Sequence, residues 1–129
     1  MREIINTPNA PTPVGPYSQA VMVDNWVYAS GQVPLDPETG KLVEGDIEVQ
    51  TQQVMKNLAA VLKAAGTSLR HAVKITVYLR NLSDFAGMNK VYAEWLNPAK
   101  PPARTTVPGV DLPLGALIEV DVVAVRYEQ

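Results

Sequence analysis

The chain has 129 residues, of which 47% are hydrophobic and 19% charged, with a net charge of −2 and no cysteine. That length suits one domain, residues 1–129, with a substantial buried core. The missing cysteines exclude disulfides, thiol catalysis and cysteine-ligated metals; the eleven scattered Lys and Arg in a mildly acidic chain argue against a nucleic-acid path.

Taken in chain order, Met1–Asn6 lacks the apolar centre of a signal peptide. No apolar stretch is long enough to cross a bilayer, so a cytoplasmic protein without membrane contact is expected. Thr7 to Pro16 is Pro-rich and reads as a connecting loop. Ala20–Val23 and Trp26–Ala29 flank Asp24-Asn25, which predicts a hairpin. After Ser30-Gly31-Gln32, Asp36-Pro37-Glu38-Thr39-Gly40 is a turn by composition. Asp46 is a candidate N-cap for a helix to Ala65, with Val54, Leu58, Val61, Leu62 and Ala65 on one stripe and Gly66 as its left-handed terminator. From Ala72 to Arg80 the chain alternates: Val73, Ile75, Val77 and Leu79 on one face, Lys74, Thr76, Tyr78 and Arg80 on the other. Ser83 is a candidate cap for a second helix through about Leu96, with the stripe Phe85, Met88, Val91, Tyr92, Trp95 and Leu96 and with Asn89 at its edge. Pro102–Val107 and Leu117–Val123 read as strands.

The order β-β-α-β-α-β-β predicts an α+β or α/β arrangement, with the helices on one face of a sheet. In the last strand Ile118, Val120, Val122 and Ala124 point under the helices, while Glu119, Asp121, Val123 and Val125 point away. A face mixing valines with acids is a poor solvent face and a poor core, so it predicts burial against another subunit.

Arg104 and Glu119 are ionisable groups in apolar strands, which is costly unless they are paired or a site needs them. Arg104 shares a strand face with Thr106 and suits a carboxylate clamp; the competing reading is a structural salt bridge to Glu119 or Asp121. Glu119 suits a general base; it could equally be the paired partner, and burial and Arg104 would pull its pKa in opposite directions. His71, the only histidine, has no second ligand or nucleophile near it in the sequence and reads as a surface residue. Neither GxGxxG nor a P-loop occurs, so no nucleotide cofactor is expected. Tyr17 and Asn89 read as hydrogen-bond anchors, and Gly31 as a bulge or a point of close backbone approach.

Several stretches together resemble the RidA (YjgF) family: Gly15-Pro16-Tyr17-Ser18-Gln19-Ala20, Ser30-Gly31-Gln32-Val33-Pro34, Asn57 to Gly66, Val73 to Leu79, Phe85 to Tyr92, Pro102-Ala103-Arg104 and Ile118-Glu119-Val120. The resemblance implies a chorismate-mutase-like fold, a mixed β-sheet with two α-helices packed on one face. It implies a homotrimer with sites between subunits. It also implies that Arg104 binds a substrate carboxylate and that Glu119 holds or activates water. Tyr17, Ser30, Gly31 and Asn89 match pocket-lining positions. Thr106 stands where many members carry cysteine and would present its backbone; Thr105 and Val120 are mild departures. The implied activity is hydrolytic deamination of 2-imino and enamine acids, such as 2-iminobutanoate and 2-iminopropanoate, to 2-keto acids and ammonia, with no metal or cofactor. Three further readings stand beside it: a ligand-binding regulatory or chaperone-like trimer without turnover; a ribonuclease, against which the missing basic path and the lone His71 speak; and a chorismate-mutase-like electrostatic site drawing on Lys74 or Arg80.

Overall fold

The computed structural model describes residues 2–127. Six strands, β1 (Arg2–Ile5), β2 (Ala20–Val23), β3 (Trp26–Gln32), β4 (Ala72–Leu79), β5 (Ala103–Pro108) and β6 (Ile118–Val125), form one sheet in the order β1-β2-β3-β6-β4-β5. β4 and β5 run parallel and every other neighbouring pair is antiparallel. Two helices, α1 (Ile47–Ala64) and α2 (Phe85–Glu94), pack on one face of this mixed sheet. None is long and apolar enough to cross a membrane among the described residues.

The hairpin closes where expected. Asp24 takes a left-handed φ of 53°, a conformation that Asp tolerates better than most residues. Asp46 caps α1 by accepting from the Val49 amide at 3.0 Å, and Gly66 ends the helix with φ 84°. Val54, Leu58, Val61 and Leu62 of α1 are fully buried against Ile75, Val77, Leu79, Ile118, Val120 and Ala124 of the sheet. Each such side chain contributes roughly 1.5–3 kcal/mol by leaving water.

Three expectations need correction. β1 adds a strand that the sequence pattern hid, because Ile5 is its only buried residue. Val73 does not share the buried face of β4: the register with β6 slips between Ala72 and Lys74, and this bulge leaves Val73 40% exposed. Ser83 does not cap α2: Leu82–Asp84 form a 3-10 turn and Asp84 stands at the cap position without a side-chain cap bond.

β5 is a sheet edge, bracketed by Pro101 and Pro102 before it and by Pro108 as its last residue.

Candidate active site

Glu119 lies on β6 between the buried Ile118 and Val120, on the sheet face away from the helices. It reaches into a cleft of about 660 Å³ lined by Tyr17, Ser30, Gly31, Gln32 and Leu114, among others. The neighbouring strand shapes this position. Ala29 pairs with Val122 and Gln32 with Val120, so three steps of β3 oppose two of β6 and the backbone bulges at Ser30-Gly31. The Glu119 carboxylate fills the space a side chain would need there: a Cβ at Gly31 would lie 2.1 Å from Glu119 Oε2.

The cleft walls are tied down by buried amides. Ser30 Oγ donates to the Ser18 carbonyl at 2.6 Å, pinning the Tyr17 loop. Gln19, 1% exposed, accepts from the Thr7 amide and donates to the carbonyls of Thr7, Ala10 and Pro11, so the Pro-rich segment is ordered by one side chain. Asn57 donates to the Val33 and Leu35 carbonyls on the far wall. At the rim, Leu114 adopts a left-handed φ of 59°, a strained choice for a residue with a branched side chain.

Burial pushes the Glu119 carboxyl above its ordinary pKa, and the Asp121 charge two residues along the same face pushes it further. Tyr78, the β4 residue opposite Glu119, donates its phenol proton to Asp121 Oδ2 at 3.2 Å, and the Asp121 charge is the main cause of a raised Tyr78 pKa. A carboxyl group held above its ordinary pKa is a stronger base than a free carboxylate, which suits acid–base work.

Arg104 occupies a second station. Its Nη1 donates to Asn89 Oδ1 at 2.6 Å, and its guanidinium lies 5.4 Å from the Phe85 ring centre and 4.9 Å from that of Tyr92. It carries no carboxylate partner: among the described residues the one ion pair is Lys90–Glu48. The structural salt bridge to Glu119 or Asp121 is therefore absent.

The two stations do not meet within one chain. Arg104 is in register with Ile75, whose side chain is buried under the helices, whereas Glu119 is in register with Tyr78 on the opposite face. Two strand spacings and three residues along the strand put their Cα atoms roughly 14 Å apart. Thr106, in register with Val77, shares the Arg104 face. One chain thus brings Tyr17, Ser30, Gly31 and Glu119 together, and separately Arg104 and Asn89 with Thr106 on the same strand face. Within one chain the expected site residues fall into two groups. Lys74 donates to Thr105 Oγ1 at 2.5 Å and Arg80 to the Gly115 carbonyl at 3.5 Å, so they form no cationic cluster with Arg104. One chain alone therefore does not assemble the cationic cluster of the chorismate-mutase-like reading. His71 is exposed and packs edge-on against Tyr127. No cluster of three metal-ligating side chains occurs among the described residues.

A family model described as Endoribonuclease L-PSP matches residues 7–126. The chain belongs to that family, the YjgF/RidA family. A RutC family protein, PH0854 of Pyrococcus horikoshii, is 50% identical over 126 residues, covering 98% of this chain and 99% of the relative. The chloroplastic Reactive Intermediate Deaminase A of Arabidopsis thaliana is 45% identical over 123 residues, 95% of this chain and 65% of that protein. The crystal structure of E. coli TdcF with bound serine matches with a TM-score of 0.89 at 36% identity, covering 97% of this chain and 99% of that one.

Within this RidA-family fold, the sequence reading missed what surrounds Arg104. Phe85 and Tyr92 were legible as members of a helix stripe, and Asn89 as its edge. Their spacing of four and three residues already placed all three on one helix face. That this face meets Arg104 depends on how α2 lies over β5, which the spacing does not encode.

Proposed function

We propose that this protein hydrolyses reactive 2-imino and enamine acids to 2-keto acids and ammonia, in sites built between two copies of the chain. The observation that carries the reading is the division of the site. Glu119 stands in a cleft with no cation, and Arg104 is a half-buried cation with no anion, on opposite sheet faces. Each station lacks what the other holds. A ring of subunits, three in the arrangement that the family resemblance implies, would set the Glu119 cleft of one copy against the Arg104 of the next. The name of the Arabidopsis relative supports the chemistry. So does the serine bound to TdcF, an α-amino acid with the carboxylate and nitrogen the proposed substrate also carries.

The chemistry asks little of the protein. Arg104 grips the substrate carboxylate with paired hydrogen bonds and fixes the imine carbon in place. The imine enters protonated on nitrogen; Glu119, as carboxylate, takes a proton from water as the oxygen bonds to the imine carbon and the C=N electron pair returns to nitrogen. The neutral carbinolamine then collapses: Glu119 gives its proton to the amino nitrogen, the C–N bond breaks as the C=O bond forms, and the hydroxyl proton passes back to the Glu119 carboxylate or on to solvent as ammonia leaves. The raised pKa serves both halves of this cycle, since the same group must accept and donate.

Mixing subunits tests the proposal. Arg104→Ala and Glu119→Gln chains are each expected to be inactive toward iminobutanoate generated from threonine by a dehydratase. Co-assembled in equal amounts, they should recover about a quarter of wild-type activity, because a quarter of head-to-tail interfaces join an intact Glu119 to an intact Arg104. No recovery would reject the shared site. Binding of 2-oxobutanoate by the wild-type protein without faster release of keto acid would mark a ligand-binding regulator instead.

A further inference from the structure

A half-buried guanidinium normally draws a carboxylate to itself, since an uncompensated charge away from water is costly. Around Arg104 the compensation comes from three groups on one face of α2, at positions 85, 89 and 92. Two are aromatic rings, with centres 5.4 Å and 4.9 Å from the guanidinium, within the reach of a cation–π attraction. The third is the Asn89 amide oxygen, which accepts from Nη1 at 2.6 Å. Tyr92 is 8% exposed, so little water competes for that ring. Burial keeps its phenol above its ordinary pKa despite the adjacent cation, so the ring stays uncharged at neutral pH. Every group in the set is neutral.

We infer that Phe85, Asn89 and Tyr92 form a neutral cradle that aims the Arg104 guanidinium without cancelling its charge, and so preserves it as a carboxylate receptor. The inference rests on the role proposed above for Arg104. Asn89 takes up one of the five guanidinium N–H groups, and with the Tyr92 hydroxyl also near the guanidinium, the remainder are left for a ligand. An aspartate at that position would make the same hydrogen bond while supplying a resident anion to compete with the substrate. The three are positioning residues: they act through Arg104.

The assay is 2-oxobutanoate affinity together with kcat and KM on iminobutanoate, in the full-length protein. Asn89→Asp should weaken 2-oxobutanoate binding at least tenfold and raise KM, with kcat little changed, while its thermal midpoint stays level or rises. Replacing Tyr92 by phenylalanine and then by phenylalanines of increasing fluorine content preserves shape but drains the ring face of negative potential. KM should climb stepwise, severalfold over the series, whereas a ring acting only as packing would give a flat series. Wild-type affinity in Asn89→Asp, or a flat fluorine series, would overturn the cradle. Arg104→Ala separates the two levels. Lost binding there together with a flat series refutes the cradle alone; wild-type binding there removes the anchor, and the cradle with it.

Discussion

Gly31→Ala is the most economical probe of the Glu119 cleft. Gly31 has no left-handed φ, so alanine meets no backbone penalty, and reduced freedom of the unfolded chain favours the variant by about 0.4–1 kcal/mol. The new methyl would lie 2.1 Å from Glu119 Oε2, 3.0 Å from its Cδ and 3.2 Å from its Cγ. Restoring ordinary contact moves the carboxylate by on the order of 1 Å. The side chain is flexible at its end and borders an open cleft, so it can yield without disturbing the sheet. A 1 Å misplacement of a catalytic group costs on the order of 100-fold in rate, or about 2.7 kcal/mol of barrier. The expected result is a fall in kcat of that size toward iminobutanoate, measured as keto acid release, with a thermal midpoint within a few degrees of wild type. Unchanged kcat would refute the role given to Glu119. A large drop in midpoint would show that the contact is structural.

The pH dependence follows from the raised Glu119 pKa: kcat/KM of the wild type should fall as pH drops through it, and a profile flat into the acid range would count against Glu119 as the base. A carboxyl with a raised folded-state pKa favours folding below its unfolded value and loses that contribution as pH rises through the folded one. Glu119→Gln should therefore melt higher than wild type at neutral pH, with the gap closing in acid, as scanning calorimetry at several pH values would reveal. Thr51 is fully buried with no partner for its Oγ1, so Thr51→Val should raise stability by about 1 kcal/mol in urea denaturation. Gln19→Leu leaves the Thr7 amide and three carbonyls of the Pro-rich segment without their partner. It should cost at least about 3 kcal/mol and speed proteolysis within residues 7–16, since three of the four lost hydrogen bonds are buried and each orphaned buried group costs about 1–3 kcal/mol.

What the sequence disclosed tracks what is local. The α1 stripe, the Asp46 cap and the Gly66 terminator follow from spacing and backbone preference, and all appear in the structure. The alternation of β6 was read correctly to the residue, because both of its faces are defined by unlike side chains. β1 escaped because four residues with one buried side chain carry no period. Val73 was misplaced because a bulge resets alternation without leaving a sequence mark. The placement of Arg104 and Glu119 within one chain stayed open for a related reason. Whether Arg104 and Glu119 share a sheet face depends on the registers of β4 with β5 and with β6, which belong to pairs of strands. Gly31 was readable as a place of close approach; that the approaching group is Glu119 required the β3 bulge.

The prolines around β5 have a bearing on handling and longevity. An unpaired strand at the rim of a sheet invites stray chains to add to it and seed insoluble fibrils. Pro101, Pro102 and Pro108 lack amide protons, so an intruding strand finds a short run of donors in Ala103 to Val107 and nothing to extend along on either side. The stretch at this rim that a stray chain could pair with is thus five residues at most, too short to template an extended ladder.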